Sequence, residues 1–177
     1  MSTNPPLADH IRSIPDFPKP GIVFRDITPL LASPQGLDAA IRALSDVARE
    51  LRPDVVIGPE ARGFLLGPAI ARDVGAGFVL ARKPGNLPHE TVSAGYALEY
   101  GRDALELHAD AISPGARVLV HDDLLATGGT ARALCELVEQ LGGEVVGCAF
   151  LIELAFLGGR SVLEPHDVRA LIRYDAE

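Results

Sequence analysis

The sequence predicts an α/β protein in which a parallel-sheet core is flanked by helices. Short apolar, β-branched runs such as 54–58 and 77–81 alternate along the chain with segments whose apolar residues recur at helical spacing. This alternation is typical of strand–helix–strand units with parallel strands. At 177 residues the chain has the size of one domain, for which roughly 100–200 residues is usual, so we expect a single domain over 1–177.

The N-terminal part is predicted to contain a short helix, an irregular connection and a long helix. Residues 7–14 carry apolar side chains at helical spacing, and 14–21 contain three prolines that prevent regular structure. Ser33 is a favourable N-cap, and Pro34 fits the first helical position. Apolar residues then continue at helical spacing to Leu51, where we expect the long helix to end.

The rest of the chain continues the alternation, with one exception. The further predicted elements are helices at 63–74 and 130–141 and strands at 117–120, 144–152 and 170–174. Residues 96–100 and 104–108 alternate around Gly101 like a hairpin. The stretch 82–95 shows no periodicity, and an irregular segment of this length in a compact domain is usually functional or disordered.

Composition excludes several classes of function. The 16 basic and 24 acidic residues give a net charge of −8, which disfavours a general nucleic-acid surface but allows a small anion held by local charges. No apolar run reaches the ~18 residues needed to cross a membrane. Cys135 and Cys148 lie in apolar stretches, and without a signal peptide we interpret them as buried thiols of a cytoplasmic protein.

The segment VLVHDDLLATGGTA, residues 118–131, carries the clearest chemical pattern. A strand is followed by Asp122 and Asp123, then by 126–130 (ATGGT), then by a helix. Glycines at a helix N-terminus let backbone N–H groups converge on an anion, and hydroxyls add donors. It is not a Walker P-loop, because Gly-Lys-Ser/Thr is absent, and no GxGxxG follows a strand.

The two acids restrict what the anion can be attached to. Carboxylates beside a phosphate site would repel a second phosphate but suit a group that donates hydrogen bonds, or a cation. A sugar phosphate meets both requirements, with its phosphate on the glycines and its diol on Asp122 and Asp123. A tight Gly-Gly turn next to solvated strand-end aspartates is the alternative, and the ordered combination of acids, threonines and glycines favours the ligand site.

The same run resembles the phosphoribosyl-pyrophosphate motif of type I phosphoribosyltransferases, and the chain as a whole resembles the bacterial adenine phosphoribosyltransferases. The resemblance covers nearly the whole chain. It rests on PDFPKPGIVFRDITPLL at 15–31, EARGFLLGP at 60–68, RKPGNLP at 82–88, YALEYG at 96–101 and LGGEVVGCAFLIEL at 141–154.

The resemblance implies a cytoplasmic purine-salvage enzyme that joins adenine to 5-phosphoribosyl 1-pyrophosphate, giving AMP and pyrophosphate. It also implies a homodimer, and Mg²⁺ bound through the pyrophosphate rather than by a dedicated protein site. Residues 1–34 would form a small hood over the base, and 82–100 a flexible hairpin flap that covers the site.

Individual roles follow from the same resemblance. For the phosphoribosyl pyrophosphate it implies a site formed by Arg62, Arg82, Lys83, Tyr100, Asp122, Asp123, Ala126, Thr127, Gly128, Gly129 and Thr130. Asp122 and Asp123 would also stabilise positive charge on the sugar, and Glu99 would handle the proton of the attacking base nitrogen. From the residues alone, an arginine after a strand is equally a surface ion pair and Glu99 an outward strand residue.

The resemblance assigns the base site to Val23, Phe24, Arg25 and Leu154. Val23 and Phe24 are equally compatible with ordinary packing, and Arg25 with support of the pocket or a phosphate contact.

Two positions depart from the family. Asn86 stands where relatives often have lysine, which questions the positive charge of the flap. His121 stands where an apolar residue is usual, and we expect a partly buried histidine with its hydrogen bonds satisfied rather than one that tunes Asp122.

Two other functions compete with this interpretation. The first is the same chemistry on xanthine or another 6-oxopurine, which would need a hydrogen-bond donor near Phe24, Arg25 and Leu154. The second is a regulator that senses phosphoribosyl pyrophosphate and binds nucleic acid. The net charge of −8 and the lack of a Lys/Arg cluster disfavour it.

Overall fold

The structure, a computed structural model, describes residues 6–97 and 102–176. Its strands are β1 (Arg12–Ile14), β2 (Phe24–Asp26), β3 (Val55–Pro59), β4 (Gly77–Ala81), β5 (Thr91–Ala97), β6 (Arg102–His108), β7 (Arg117–Leu125), β8 (Glu144–Leu154) and β9 (Val168–Tyr174). Its α-helices are α1 (Thr28–Ala32), α2 (Pro34–Leu51), α3 (Gly63–Val74), α4 (Gly129–Gln140) and α5 (Gly159–Val162).

Five strands form a parallel sheet in the order β4-β3-β7-β8-β9. Two smaller antiparallel pairs accompany it, β1 with β2 and β5 with β6. This arrangement confirms the predicted α/β class with a parallel core and a hairpin as the exception to the alternation.

Apolar residues are buried on both faces of the sheet. One cluster contains Leu134 and Val138 of α4 together with Phe150, and the other contains Leu44 of α2 and Leu66 of α3. A parallel sheet covered by helices on both faces needs strands with continuous apolar runs, such as 118–120 of β7 and 148–152 of β8.

Helix α2 begins as predicted. Ser33 has an extended backbone, its side chain accepts a hydrogen bond from the Gly36 N–H at 3.1 Å, and Pro34 is the first helical residue. The helix ends at Leu51, where Arg52 adopts the left-handed conformation that commonly terminates a helix.

Several elements differ from the predictions. The helix expected over 7–14 is only a 3₁₀ turn at Leu7–His10, because the chain then pairs as β1 with β2. Helix α1 was not predicted, and β5 begins at Thr91, inside the stretch expected to be irregular. Strand β7 continues to Leu125 because its pairing with β8 persists that far.

The predicted buried thiols are confirmed. Cys135 and Cys148 are both free and fully buried, with their sulfur atoms 3.8 Å apart. Within 6–97 and 102–176, no helix has both the length and the apolar character required to span a bilayer.

Candidate active site

The site lies where neighbouring strands of the sheet send the chain in opposite directions. From β3 the chain crosses to β4 on one side, and from β7 it crosses to β8 on the other. The carboxyl ends of β3 and β7 therefore border a crevice, the usual ligand position in open α/β sheets. Arg62, in the turn after β3, and the Asp122–Asp123 pair, near the end of β7, meet there.

The acid pair belongs to the strand itself and not, as expected, to the turn after it. The Asp123 side chain is only 3% exposed, and its Oδ2 lies 3.1 Å from Nε of Arg62. This oxygen has no hydrogen-bond partner among the residues that the structure describes. The Asp123 N–H donates to Oδ1 of Asp122 at 2.8 Å, which fixes the orientation of the Asp122 carboxyl group.

Burial and mutual repulsion disfavour two negative charges here. Desolvation raises the pKa of Asp122 well above its usual value, and the neighbouring Asp123 charge raises it further. The pKa of Asp123 is also raised by desolvation, which outweighs the opposing effect of the Arg62 guanidinium. A ligand that donates hydrogen bonds or carries developing positive charge would relieve this electrostatic cost.

The glycine-rich turn forms one lobe of the crevice. Gly128 has a left-handed φ of +86° and precedes α4, which starts at Gly129. The first N–H groups of a helix lack partners within it and bind anions readily. Arg62 and residues 122–131 line this lobe, whose volume is about 210 Å³.

A second lobe of about 370 Å³ adjoins the first. It is lined by Pro59, Glu60, Ala61, Arg62, Lys83, Leu105, Asp122, Asp123 and Thr130. Because Arg62, the two aspartates and Thr130 line both lobes, the acid pair lies between them. The arrangement offers a phosphate-sized cradle on one side of the acids and cationic side chains on the other.

Arg82 and Lys83 are neighbours in sequence, but only Lys83 lines the second lobe. Lys83 lies 3.2 Å from the Asp103 carboxylate. Arg82 is held by Glu60, with 2.6 Å between Nε and Oε2, and the Asn86 amide also donates to Glu60 at 3.1 Å. Desolvation raises the pKa of Glu60, but the hydrogen bonds and the positive charge of Arg82 together outweigh it, so the pKa lies below its usual value.

Of the four predicted base-site residues, Phe24 lies beside Arg62 of this region. The Phe24 ring lies 5.5 Å from the guanidinium carbon of Arg62, and Phe17 packs edge-on against it with ring centroids 5.3 Å apart. Leu154, at the end of β8, is paired with Tyr174 of β9.

Arg25 is buried, and its guanidinium carbon lies 3.9 Å from the centre of the Tyr174 ring. It also donates to the Ser13 hydroxyl, whereas Val23 is half-buried just before β2. Arg25 thus connects the N-terminal hairpin to the last strand. Glu99 and Tyr100 lie outside the described residues.

The prediction for His121 was wrong. It was expected to be partly buried and satisfied, but it is fully buried, and only Nδ1 has a contact, 2.9 Å from the Ala149 carbonyl. Its Nε2 finds no partner within the described part of the chain. Burial lowers its pKa to about 4, so the ring is neutral at pH 7 and adds no charge beside Asp122.

Two contributors to the site escaped sequence analysis. Glu60 could have been found, because it directly follows β3 as Asp122 and Asp123 follow the core of β7. Gly159 of α5 packs behind the glycine-rich turn, where an added Cβ would lie 2.2 Å from the Ala126 carbonyl oxygen. The Gly158–Gly159 pair in the sequence is its only signal.

Comparison with known proteins agrees with this geometry. Residues 26–169 match the family described as "Phosphoribosyl transferase domain". The adenine phosphoribosyltransferase of Rubrobacter xylanophilus is 61% identical over 169 residues, covering 95% of this chain and 91% of that protein.

Solved structures agree as well. The crystal structure of adenine phosphoribosyltransferase from Thermoanaerobacter pseudethanolicus superposes with a TM-score of 0.92 at 50% identity, covering 95% of this chain and 98% of the other. The Saccharomyces cerevisiae enzyme, solved with an imino-altritol bisphosphate and adenine, gives a TM-score of 0.85 at 41% identity, covering 93% and 96%.

The raised pKa of Asp122 predicts that its charge destabilises the fold. In the unfolded chain the carboxyl ionises near its usual pKa, whereas in the folded chain it ionises only at higher pH, so stability falls as pH rises between these values. Asp122→Asn should therefore raise the free energy of unfolding at pH 8 and leave it nearly unchanged at pH 4. Urea denaturation at both pH values measures this.

Asp110→Asn, at an exposed carboxylate after β6, is the matched control and should not reproduce the difference between the two pH values. Equal effects of Asp122→Asn at pH 4 and pH 8 would contradict the electrostatic explanation.

Proposed function

The chain belongs to the adenine phosphoribosyltransferase family, and on that premise we propose that it transfers the 5-phosphoribosyl group from phosphoribosyl pyrophosphate to adenine. The observation that carries the proposal is the acid pair of half-buried Asp122 and buried Asp123, set between an anion cradle and a lobe lined by Arg62 and Lys83. Phosphoribosyl pyrophosphate has the matching order of groups: a 5′-phosphate, a diol and a pyrophosphate. The product AMP makes this a purine-salvage reaction.

Substrate placement follows the two lobes. Residues Ala126–Thr130 receive the 5′-phosphate, and the ribose hydroxyls donate to Asp122 and Asp123. The buried Oδ2 of Asp123 supports this, because it is ion-paired with Arg62 at 3.1 Å but receives no hydrogen bond from the described residues, and a buried carboxylate oxygen is costly without a donor. The pyrophosphate occupies the second lobe beside Arg62 and Lys83, and Arg82 reaches it by leaving Glu60.

The reaction exchanges one bond for another at the anomeric carbon. The bond to the pyrophosphate oxygen breaks, its electron pair leaves with pyrophosphate, and an adenine nitrogen forms the new bond. The sugar carries positive charge in between, which Asp122 and Asp123 stabilise at close range. Holding both reactants in position supplies the remaining advantage over solution.

The adenine position is assigned to the N-terminal hairpin. Phe24 provides a ring face next to Arg62, and Val23 and Arg25 provide main-chain groups for the edge of the base. Leu154 supplies an apolar wall. Arg25 is stacked on Tyr174 and bonded to Ser13, which favours the supporting role over a direct phosphate contact.

Glu99 is proposed to accept the proton of the attacking nitrogen, and Tyr100 to contact phosphoribosyl pyrophosphate. Both assignments rest on the resemblance of YALEYG to the family. A carboxylate enclosed by a closing flap would have a raised pKa suited to that role.

Mg²⁺ fits this site as a partner of the substrate. Mg²⁺ commonly binds substrate phosphates and keeps several waters, so it would enter here with the pyrophosphate while Asp122 and Asp123 bind the ribose hydroxyls. Bound there, it would neutralise charge on the leaving group.

The organisation of the chain is proposed on the same basis. Residues 1–177 form one domain, with 1–34 as the hood, 82–100 as the flap, and the cytoplasm as its location.

A homodimer is proposed as well. Leu65 of α3 and Leu80 of edge strand β4 are 47% and 45% exposed, and Leu80 borders an apolar groove of about 240 Å³ with Phe78 and Leu87. Exposed apolar surface of this kind is typical of an interface.

The base specificity is tested by offering adenine, hypoxanthine, guanine and xanthine in turn with phosphoribosyl pyrophosphate and Mg²⁺. We expect AMP from adenine and turnover of the other bases at least tenfold slower, because a site built for an amino group leaves polar groups unpaired against a 6-oxo group. Preference for an oxopurine would support the first rival. No turnover combined with tight nucleic-acid binding would support the regulator.

Asp123→Asn should lower kcat/KM more than tenfold, because it removes charge that stabilises the oxocarbenium-like transition state. Steady-state kinetics with adenine measure this. Asp110→Asn serves as control, and unchanged kinetics of Asp123→Asn would show that the acid pair is structural.

The homodimer predicts sedimentation at twice the 18.7 kDa chain mass. Leu80→Glu should shift the protein toward monomer by placing a charge in the interface. Leu157→Glu, at a position 43% exposed elsewhere, should not, and a monomeric wild-type protein would overturn the proposal.

A further inference from the structure

An ion pair between a buried carboxylate and a partly exposed arginine lies behind the glycine-rich turn. Glu153, near the end of β8, has a side chain only 3% exposed. Arg160 of α5 binds it with two parallel hydrogen bonds, from Nε to Oε1 at 3.0 Å and from Nη2 to Oε2 at 2.6 Å. A third donor, Nη1 of Arg160, binds the Val168 carbonyl at 2.6 Å. Three directional hydrogen bonds fix where Arg160, and with it α5, stands against the sheet.

The residue before Arg160 contacts the turn directly. A Cβ added to Gly159 would lie 2.2 Å from the Ala126 carbonyl oxygen and 2.9 Å from the Gly128 nitrogen. A Cβ added to Gly128 would in turn lie 2.6 Å from the Gly159 carbonyl oxygen. The two backbones therefore touch with no side chain between them, and a displacement of α5 is passed to the turn.

The turn needs such support. Gly128 is held at a φ of +86°, and the turn is bordered on its other side by the open lobe described above. Anion binding by backbone N–H groups depends on their convergence, so a shift of a fraction of an ångström weakens it.

We propose that the Glu153–Arg160 pair is a positioning device that sets the geometry of the phosphate cradle through Gly159. Neither residue lines the lobes of the site. The inference rests on the proposed function in one respect, that residues Ala126–Thr130 bind the 5′-phosphate. It explains why a carboxylate is buried at this point of β8, where an apolar residue would fill the core.

The test compares two conservative variants. Arg160→Lys keeps the positive charge but loses the two-pronged contact with Glu153 and the bond to Val168. Arg173→Lys is the matched control, because Arg173 also approaches Glu153, at 3.4 Å, but stands on β9 and not on α5. Calorimetric binding of ribose 5-phosphate and kinetic KM values for both substrates are measured, with thermal unfolding alongside.

We expect Arg160→Lys to weaken ribose 5-phosphate binding about tenfold and to raise KM for phosphoribosyl pyrophosphate similarly, while KM for adenine changes less than twofold. Arg173→Lys should leave all three values within twofold. Loss of stability without this split between the substrates, or equal effects of the two variants, would overturn the proposal.

A second measurement does not depend on the folding of Arg160→Lys. In Glu153→Gln, which keeps shape and can still accept hydrogen bonds, the amide NMR signals of Gly128 and Gly129 should shift, and ribose 5-phosphate binding should weaken at least threefold. Unmoved signals would overturn the proposal. Failure of the wild-type protein to bind ribose 5-phosphate at this turn would instead refute the proposed function, so the two failures are distinguishable.

Discussion

The adjacency of two carboxylates, one of them only 3% exposed, shapes the whole site. The Asp122 carboxyl group is oriented by the bond from the Asp123 N–H, and β7 continues through both residues because its pairing with β8 extends to Leu125. Neither charge is well compensated, since Arg62 is the only cation within ion-pair distance of the pair among the described residues. The fold thus maintains an electrostatic cost that a suitable ligand relieves, and residues kept for function commonly carry such a cost.

Topology makes this placement possible. Because β3 and β7 are neighbours whose following connections diverge, Arg62 and the acids meet at one edge although 60 residues separate them in sequence. The same divergence leaves room for two lobes, one toward the start of α4 and one toward Lys83. Because the two lobes offer different groups, a ligand with unlike groups at its two ends can bind in one orientation only.

Sequence reasoning recovered what local patterns encode. The helix start at Ser33, the alternation of strands and helices and the ATGGT turn depend on neighbours in sequence, and each is confirmed in the structure. Sequence reasoning failed where pairing between separate segments of the chain determines the secondary structure. The helix expected over 7–14 gave way to β1 because β2 was available as a partner, and β5 started early because β6 extends to His108. The full burial of His121 likewise depends on α/β layers that no local pattern reveals.

The chain's net charge of −8 conflicts with a substrate that bears a phosphate and a pyrophosphate only if charge is averaged over the surface. Interactions between exposed charges are screened beyond roughly 10 Å, so distant carboxylates contribute little to the potential inside the crevice. There the potential is set by local groups, which include the acids Glu60, Asp122 and Asp123 as well as Arg62, Lys83 and the first N–H groups of α4. The cationic side chains already have partners, Arg62 in Asp123, Lys83 in Asp103 and Arg82 in Glu60. Under the proposed function, a bound pyrophosphate would replace carboxylates as the partner of these cations, so the local ion pairs matter more for binding than the total charge of the chain.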